Sequence, residues 1–283
     1  RRLQKIKTCA VEYLNTRPIV YGLQQAAAAR FELQYAIPSV CADKLKNKEV
    51  DLALIPSIEY SRIRGHRNLR IVPDIGVISH QFVKSVELFF NRNLENINTV
   101  AVDISSRTSV GLLDIILREK FDIHPEFIPM PPQVEVMLSK ADAALIIGDN
   151  ALELYDTWDN KIDLGEEWGD MTDGLPFVYS FWAAAEDALN TDDILTLTAS
   201  RDAGLDHITE ISRVYSQERA RGFEPDFYAN YLTENIQFKL GKAELEGLKE
   251  YYSYCFYYGI IDEIPDLLFV GQKNESDFTV KNN

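Results

Sequence analysis

The feature that most constrains this chain is its rhythm. Through the first two-thirds, short apolar runs of strand length alternate with segments of helical period. Residues 6–11 read as a strand, 19–30 as a helix, 31–36 as a strand and 40–48 as a helix. Residues 51–55 (Asp-Leu-Ala-Leu-Ile) form a third strand, apolar enough to be covered on both faces. A β-α-β-α-β order with short connections implies a parallel, doubly wound sheet, because parallel neighbours need a crossover and the helices supply it. Strands at 71–78 and 86–90 close this block. A second block runs through a strand at 99–103, a helix at 109–120, a strand at 126–128, a weaker helix at 133–139 and a buried strand at 143–147. Two such units imply an α/β protein of two lobes with a cleft between them. The expected division puts residues 1–90 and 182–283 in the first lobe and 91–181 in the second, with 175–185 carrying the chain back. The remainder reads as helical at 195–215, 225–231 and 242–258, with Gly259 as a stop signal and a polar, frayed tail after Gly271.

Composition narrows the function classes. The 283 residues carry a formal net charge of -15, which repels nucleic acid and anionic lipid, so the expected partner is a small molecule. An anionic one still fits where a local cluster of donors outweighs the global field. Cys9, Cys41 and Cys255 are odd in number and sit in apolar surroundings, as buried reduced thiols do. No run approaches the ~20 apolar residues of a membrane-spanning helix, and no membrane partner is expected. The chain enters its first strand without the apolar core or small-residue cleavage site of a secretory signal, so a cytoplasmic protein is expected. His66, His80, His124 and His207 are scattered, without the spacing of a metal pair or a catalytic triad. Neither a metal nor an organic cofactor is indicated, and no glycine-rich loop followed by lysine points to a nucleotide.

In open α/β sheets, ligands sit beyond the carboxyl ends of the strands, so those ends hold the candidates. Asn15 follows the first strand, where an asparagine either caps a helix or offers its amide to a ligand. Arg17, two residues on, is either a carboxylate partner or a surface arginine. Ser39 follows the second strand as an N-cap that can also present backbone amides to an anion. After the third strand comes Pro56-Ser57-Ile58-Glu59, with the Ser57 hydroxyl set to face the cleft and Glu59 favoured by the helix dipole. Ser85 enters an otherwise apolar strand with no local need for a hydroxyl. The densest cluster is Ser105, Ser106, Arg107, Thr108 and Ser109, at the start of a helix. Hydroxyls, unpaired amides and a guanidinium together make a cradle for a carboxylate or phosphate. A capping box would need one of these residues, not all of them. Asp149 follows the strand at 143–147, as a cap or as an acceptor for a substrate hydroxyl.

Six strings occur here in one order: Tyr13-Leu14-Asn15 with Pro18, Leu54 to Tyr60, Ser85-Val86-Glu87-Leu88-Phe89, Ser105 to Ser109, Ile147-Gly148-Asp149, and Asp163-Leu164-Gly165 leading through Trp168 to Tyr179. In this order, over roughly residues 6–260, the chain resembles the chorismate dehydratases of menaquinone biosynthesis by the futalosine route. The resemblance implies the two-lobed periplasmic-binding-protein type II fold and conversion of chorismate to 3-[(1-carboxyvinyl)oxy]benzoate with loss of water. It further implies that Asn15 and Ser85 serve catalysis, no cofactor being needed because aromatisation drives the reaction. The serine-rich loop, with Ser39, Ser57, Arg17 and Asp149, then falls to substrate binding. Glu59, Asp149 and a carboxylate of the substrate itself remain as acceptors for the proton.

Overall fold

The computed structural model describes residues 4–25, 29–63, 67–220 and 222–272. Part of the expected 19–30 helix, His66 and most of the tail after Gly271 lie outside these. The first unit is β1 (Ile6–Val11), α1 (Arg17–Val20), β2 (Phe31–Ala36), α2 (Pro38–Lys46), β3 (Leu52–Pro56), α3 (Ser57–Ile63) and β4 (Leu69–Ser79). The second is β5 (Val86–Phe90), β6 (Thr99–Val102), α4 (Arg107–Phe121), β7 (Glu126–Pro129), α5 (Val134–Lys140), β8 (Ala143–Ile147), α6 (Gly148–Glu153), β9 (Lys161–Asp163) and α7 (Leu164–Met171). The chain then returns through β10 (Phe177–Ala185) to α8 (Thr191–Asp206), α9 (Ile208–Glu218), α10 (Pro225–Asn230), a π-helical turn (Tyr231–Asn235) and α11 (Lys242–Tyr257).

Two five-stranded sheets result, in the orders β2-β1-β3-β10-β4 and β7-β6-β8-β5-β9. Each has a parallel half made by βαβ units, β1 with β2 and β3 in one and β6 with β7 and β8 in the other. Each also has an antiparallel strand delivered from the other side of the cleft: β10 lies between β3 and β4, and β5 between β8 and β9. The expected placement of residues 86–90 in the first lobe is therefore corrected, since Val86–Phe90 pairs wholly within the second sheet. Residues 177–181, assigned to the second lobe, pair in the first. Both strands are mostly apolar, with Glu87 in one and Ser180 in the other, so composition does not say which sheet takes them; the hydrogen-bonding partner does.

The two crossings are firmly held. The first, Ser79 to Ser85, is anchored by Asp163, which caps α7 through the amides of Gly165 and Glu166 and also accepts from the amides of Val83 and Lys84. Gly165 has to be glycine here, because a Cβ would lie 2.3 Å from the Gln81 carbonyl of that crossing. The return crossing is pinned by Trp168, whose indole donates to the Pro176 carbonyl and packs edge-on against Phe177 and Tyr251.

Candidate active site

Between the lobes lies a cleft of about 540 Å³, its open mouth included. It is lined at the carboxyl ends of strands by Val11, Pro56 and Ile147, by Val83 and Ser85 from the first crossing, and by Tyr179 and Ser180 of β10. Tyr13, Asn15 and Thr16 follow β1 in a short 3₁₀ turn, and Ser106 and Ser109 stand at the start of α4. No Asp, Glu, Lys, Arg or His is among the described lining residues. The wall offers hydroxyls, one carboxamide and the first-turn amides of a four-turn helix, which have no carbonyl partner within it. Ser106 caps that helix, accepting from the Ser109 amide and donating to the Ser109 hydroxyl.

Asn15 and Ser85 come together although 70 residues of chain separate their numbers. Both reach the phenol of Tyr231: the Asn15 carboxamide donates to it over 3.3 Å, and the Ser85 hydroxyl lies 2.6 Å from it. Burial pushes the pKa of Tyr231 well up, so the phenol is neutral at any working pH. Tyr231 was not legible as a site residue, because it lies in a helical stretch where an apolar-faced tyrosine reads as core. Gly148 completes this corner. Its amide donates to the Ser85 carbonyl, its φ is +62°, and a Cβ there would meet the Tyr13 ring at 2.8 Å. Burial raises Tyr13 to about 12, so it too serves the cleft as a neutral phenol.

Of the expected site residues, Asn15, Ser85, Ser106 and Ser109 line the cleft; the rest do not. Arg17 turns away to an ion pair with Glu218 at 2.5 Å and stacks on Tyr215. Ser39 is not a cap: Pro38 takes the first helical position, moving the cap to Ile37, and the Ser39 amide donates across the lobes to Ser105. Ser57 is fully buried, its carbonyl accepting from Tyr252. The Ser105 amide is held by Asp103. Arg107 faces another groove, paired across the lobes with buried Glu59 at 3.2 Å, and Thr108 accepts from the Ile58 amide. Asp149 accepts from the Leu14 amide on one oxygen and from Arg219 on the other. Arg17, Ser105, Arg107, Thr108 and Asp149 thus hold the walls together rather than form them.

Burial raises both Glu59 and Asp149, while Arg107 and the Leu14 amide with Arg219 respectively oppose that shift. Neither carboxylate reaches the lining. The described histidines are likewise elsewhere: His80 pairs with Glu244, His124 with Asp122, and His207 stacks on Tyr21. No cluster of metal ligands occurs among the described residues, and no described helix is long and apolar enough to cross a membrane.

The model of a family described as menaquinone biosynthesis matches residues 6–257. The chain belongs to the menaquinone biosynthesis family. Two curated relatives named chorismate dehydratase are each 28% identical to this family member. One, from Thermus thermophilus, aligns over 257 residues, 84% of this chain and 91% of its own; the other, from Campylobacter jejuni, over 251 residues, 87% and 95%. Among solved structures, an Archaeoglobus fulgidus protein superposes with a TM-score of 0.75 at 15% identity, covering 92% of this chain and all of its own. A Candida albicans protein described as having the generic periplasmic binding protein fold gives 0.65 at 12%, covering 97% and 100%. At such identities these two speak for the fold alone, which is the two-lobed one expected from the sequence. The menaquinone-biosynthesis family and its fold thus agree with the geometry of two sheets with a lined cleft between them.

Proposed function

We propose that this protein is a hydro-lyase that converts chorismate to 3-[(1-carboxyvinyl)oxy]benzoate and water, with Asn15 and Ser85 as its catalytic residues. The observation that carries this is their convergence, from the turn after β1 and from the inter-lobe crossing, at the wall of a cleft without ionisable lining carboxylates or cations among the described residues, where both meet one buried hydroxyl just behind it. Family membership and relatives named for this activity support it.

The chemistry suits such a wall. Removal of the C3 proton of chorismate leaves charge delocalised through the diene into the ring carboxylate, and loss of the C4 oxygen then makes the ring aromatic. Among the described lining residues no side chain is a base near neutrality: Tyr13 is raised to about 12 and Tyr179 well above the ordinary phenol value, both by burial first. The enolpyruvyl carboxylate, tethered to C3 through its ether oxygen, reaches the C3 hydrogen through a six-membered arrangement and takes it. The departing hydroxide and that proton together make the water, which regenerates the carboxylate. Ser106, Ser109 and the amides at the start of α4 hold the ring carboxylate. Asn15 and Ser85 orient the ring and donate hydrogen bonds to the oxygen as it leaves.

Incubation with chorismate and chromatography of the products tests this. Wild type yields the enolpyruvyl benzoate, and Asn15→Ala and Ser85→Ala each lose about 100-fold or more in kcat. Binding of chorismate without turnover would make the protein a solute-binding relative instead, and near-normal turnover by both variants would remove these two residues from the chemistry.

A further inference from the structure

Tyr231 lines no part of the cleft, yet both proposed catalytic side chains end on it. Its ring is 1% exposed and it opens the π-helical turn. The fourth residue on, Asn235, donates from its carboxamide to the Phe82 carbonyl over 3.0 Å. One turn therefore grips the first crossing at two points, Phe82 and Ser85. Wide π turns of this kind recur at functional sites because they re-aim side chains that a regular helix would spread around its axis.

Hydrogen accounting gives the contact a direction. A neutral phenol has one proton to donate and lone pairs to accept with. The Asn15 carboxamide donates to Tyr231, and its oxygen accepts from the Thr16 hydroxyl at 3.4 Å, which holds the amide this way round. Ser85, at 2.6 Å, is the phenol's other partner among the described residues, and either oxygen of that pair could donate. With Asn15 already donating to the phenol, the arrangement that uses both hydroxyl protons has the phenol donate to Ser85, which leaves the serine proton for the cleft. Besides the phenol, the acceptor for that proton among the described residues is the Val83 carbonyl, at a long 3.4 Å.

We infer that Tyr231 is a positioning residue that sets the direction of a hydrogen-bond relay, Asn15 to Tyr231 to Ser85, aiming the Ser85 hydroxyl proton at the oxygen that leaves the substrate. This rests on the dehydration proposed above. Donation from the phenol polarises the serine hydroxyl, making it a stronger donor when negative charge develops on that oxygen. No proton needs to be transferred along the relay.

A double-mutant cycle tests it. Tyr231→Phe lowers kcat about 10- to 100-fold with KM within about threefold, and Tyr231→Phe with Ser85→Ala is no slower than Ser85→Ala alone, because Tyr231 acts through Ser85. Additive losses, or a near-normal kcat in Tyr231→Phe, would overturn the relay. Should Tyr231→Phe not fold, 3-fluorotyrosine at position 231 keeps the shape and makes the phenol more acidic. The relay then requires kcat to change at least about twofold, and an unchanged kcat rejects it. Wild type inactive on chorismate would sink the dehydratase reading alone. The relay is still read from the Tyr231 hydroxyl proton by NMR of tyrosine-labelled protein, whose resonance must shift in Ser85→Ala. No shift there would end it.

Discussion

The cleft wall and the layer of residues just behind it differ in kind. The described lining carries no ionised side chain, only hydroxyls, a carboxamide and helix-start amides. One layer back the titratable groups are dense: Asp149 with Arg219, Glu59 with Arg107, Asp163 on its ring of amides, and Glu87 beside Lys161. The first two pairs tie elements of the two lobes together, and neutral groups face the substrate. For a ligand that brings two carboxylates of its own, this division is economical in one specific sense. The substrate's charge is the strongest in the pocket, and nothing fixed there competes with it or traps it.

The sharpest way to break the contrast is to move a charge from the back to the front. Ser106→Asp keeps a good helix cap, so the denaturation midpoint should hold or rise. A carboxylate about 4 Å from a substrate carboxylate repels it by about 4 kcal/mol at an effective dielectric of 20, and KM should climb by about 100-fold or more in steady-state assays. Preserved affinity would show that the α4 start does not hold the anion. The reverse change, stripping a charge from the back, acts on stability first. Asp149→Ala orphans the Leu14 amide and the Arg219 guanidinium and should cost about 3 kcal/mol in urea unfolding, with activity falling less steeply than for Ser85→Ala.

Smaller effects sharpen the picture by their pH dependence. Arg107→Met leaves Glu59 buried without its partner. Glu59 already has a raised pKa from burial, and losing Arg107 raises it further. A carboxyl raised in the folded state contributes most below its unfolded value, and that contribution is lost as pH rises through the folded one. The variant should thus be about 1 kcal/mol less stable than wild type at pH 8 and close to it at pH 4.5, by thermal unfolding. Glu87 gives the narrowest test. Burial first, then Asp163 opposite it in the ladder, raise it to about 8, and Lys161 only partly offsets them. Between about pH 4.5 and 8 it holds a proton that the unfolded chain has released, so Glu87→Gln should match wild type near pH 4, gain on it steadily through that window and keep a constant advantage above pH 8. Equal melting curves at pH 9 would mean that Glu87 is ionised and paired.

The difference between wall and backing also marks what could be read from the sequence. Strand ends, Asn15, Ser85 and the Ser106–Ser109 cap were legible because they depend on local pattern: an apolar run, a turn, a polar residue out of place. Arg17, Arg107 and Asp149 look identical in sequence whether they face a ligand or a carboxylate on another element. Arg17 turns to Glu218, a partner 201 positions away. Ser39 was misread by two positions because Pro38 pre-sets the first helical φ and pushes the cap back to Ile37. Strand β5 was given to the wrong sheet because apolarity fixes burial but not neighbours. Tyr231 carried no local signal, since the turn that aims it widens only where Asn235 and the crossing meet.

The placement of Ser85 on the segment that joins the lobes, while Asn15 belongs to the first sheet's turn, has a consequence for how such a protein can be regulated or divided. A receptor built on this frame could exchange its ligand and keep every binding residue intact on one half or the other. Here neither half, expressed alone, would hold a complete reactive centre. On the roles proposed for Asn15 and Ser85, a movement that drew the crossing away from the β1 turn would separate the two and dismantle that centre.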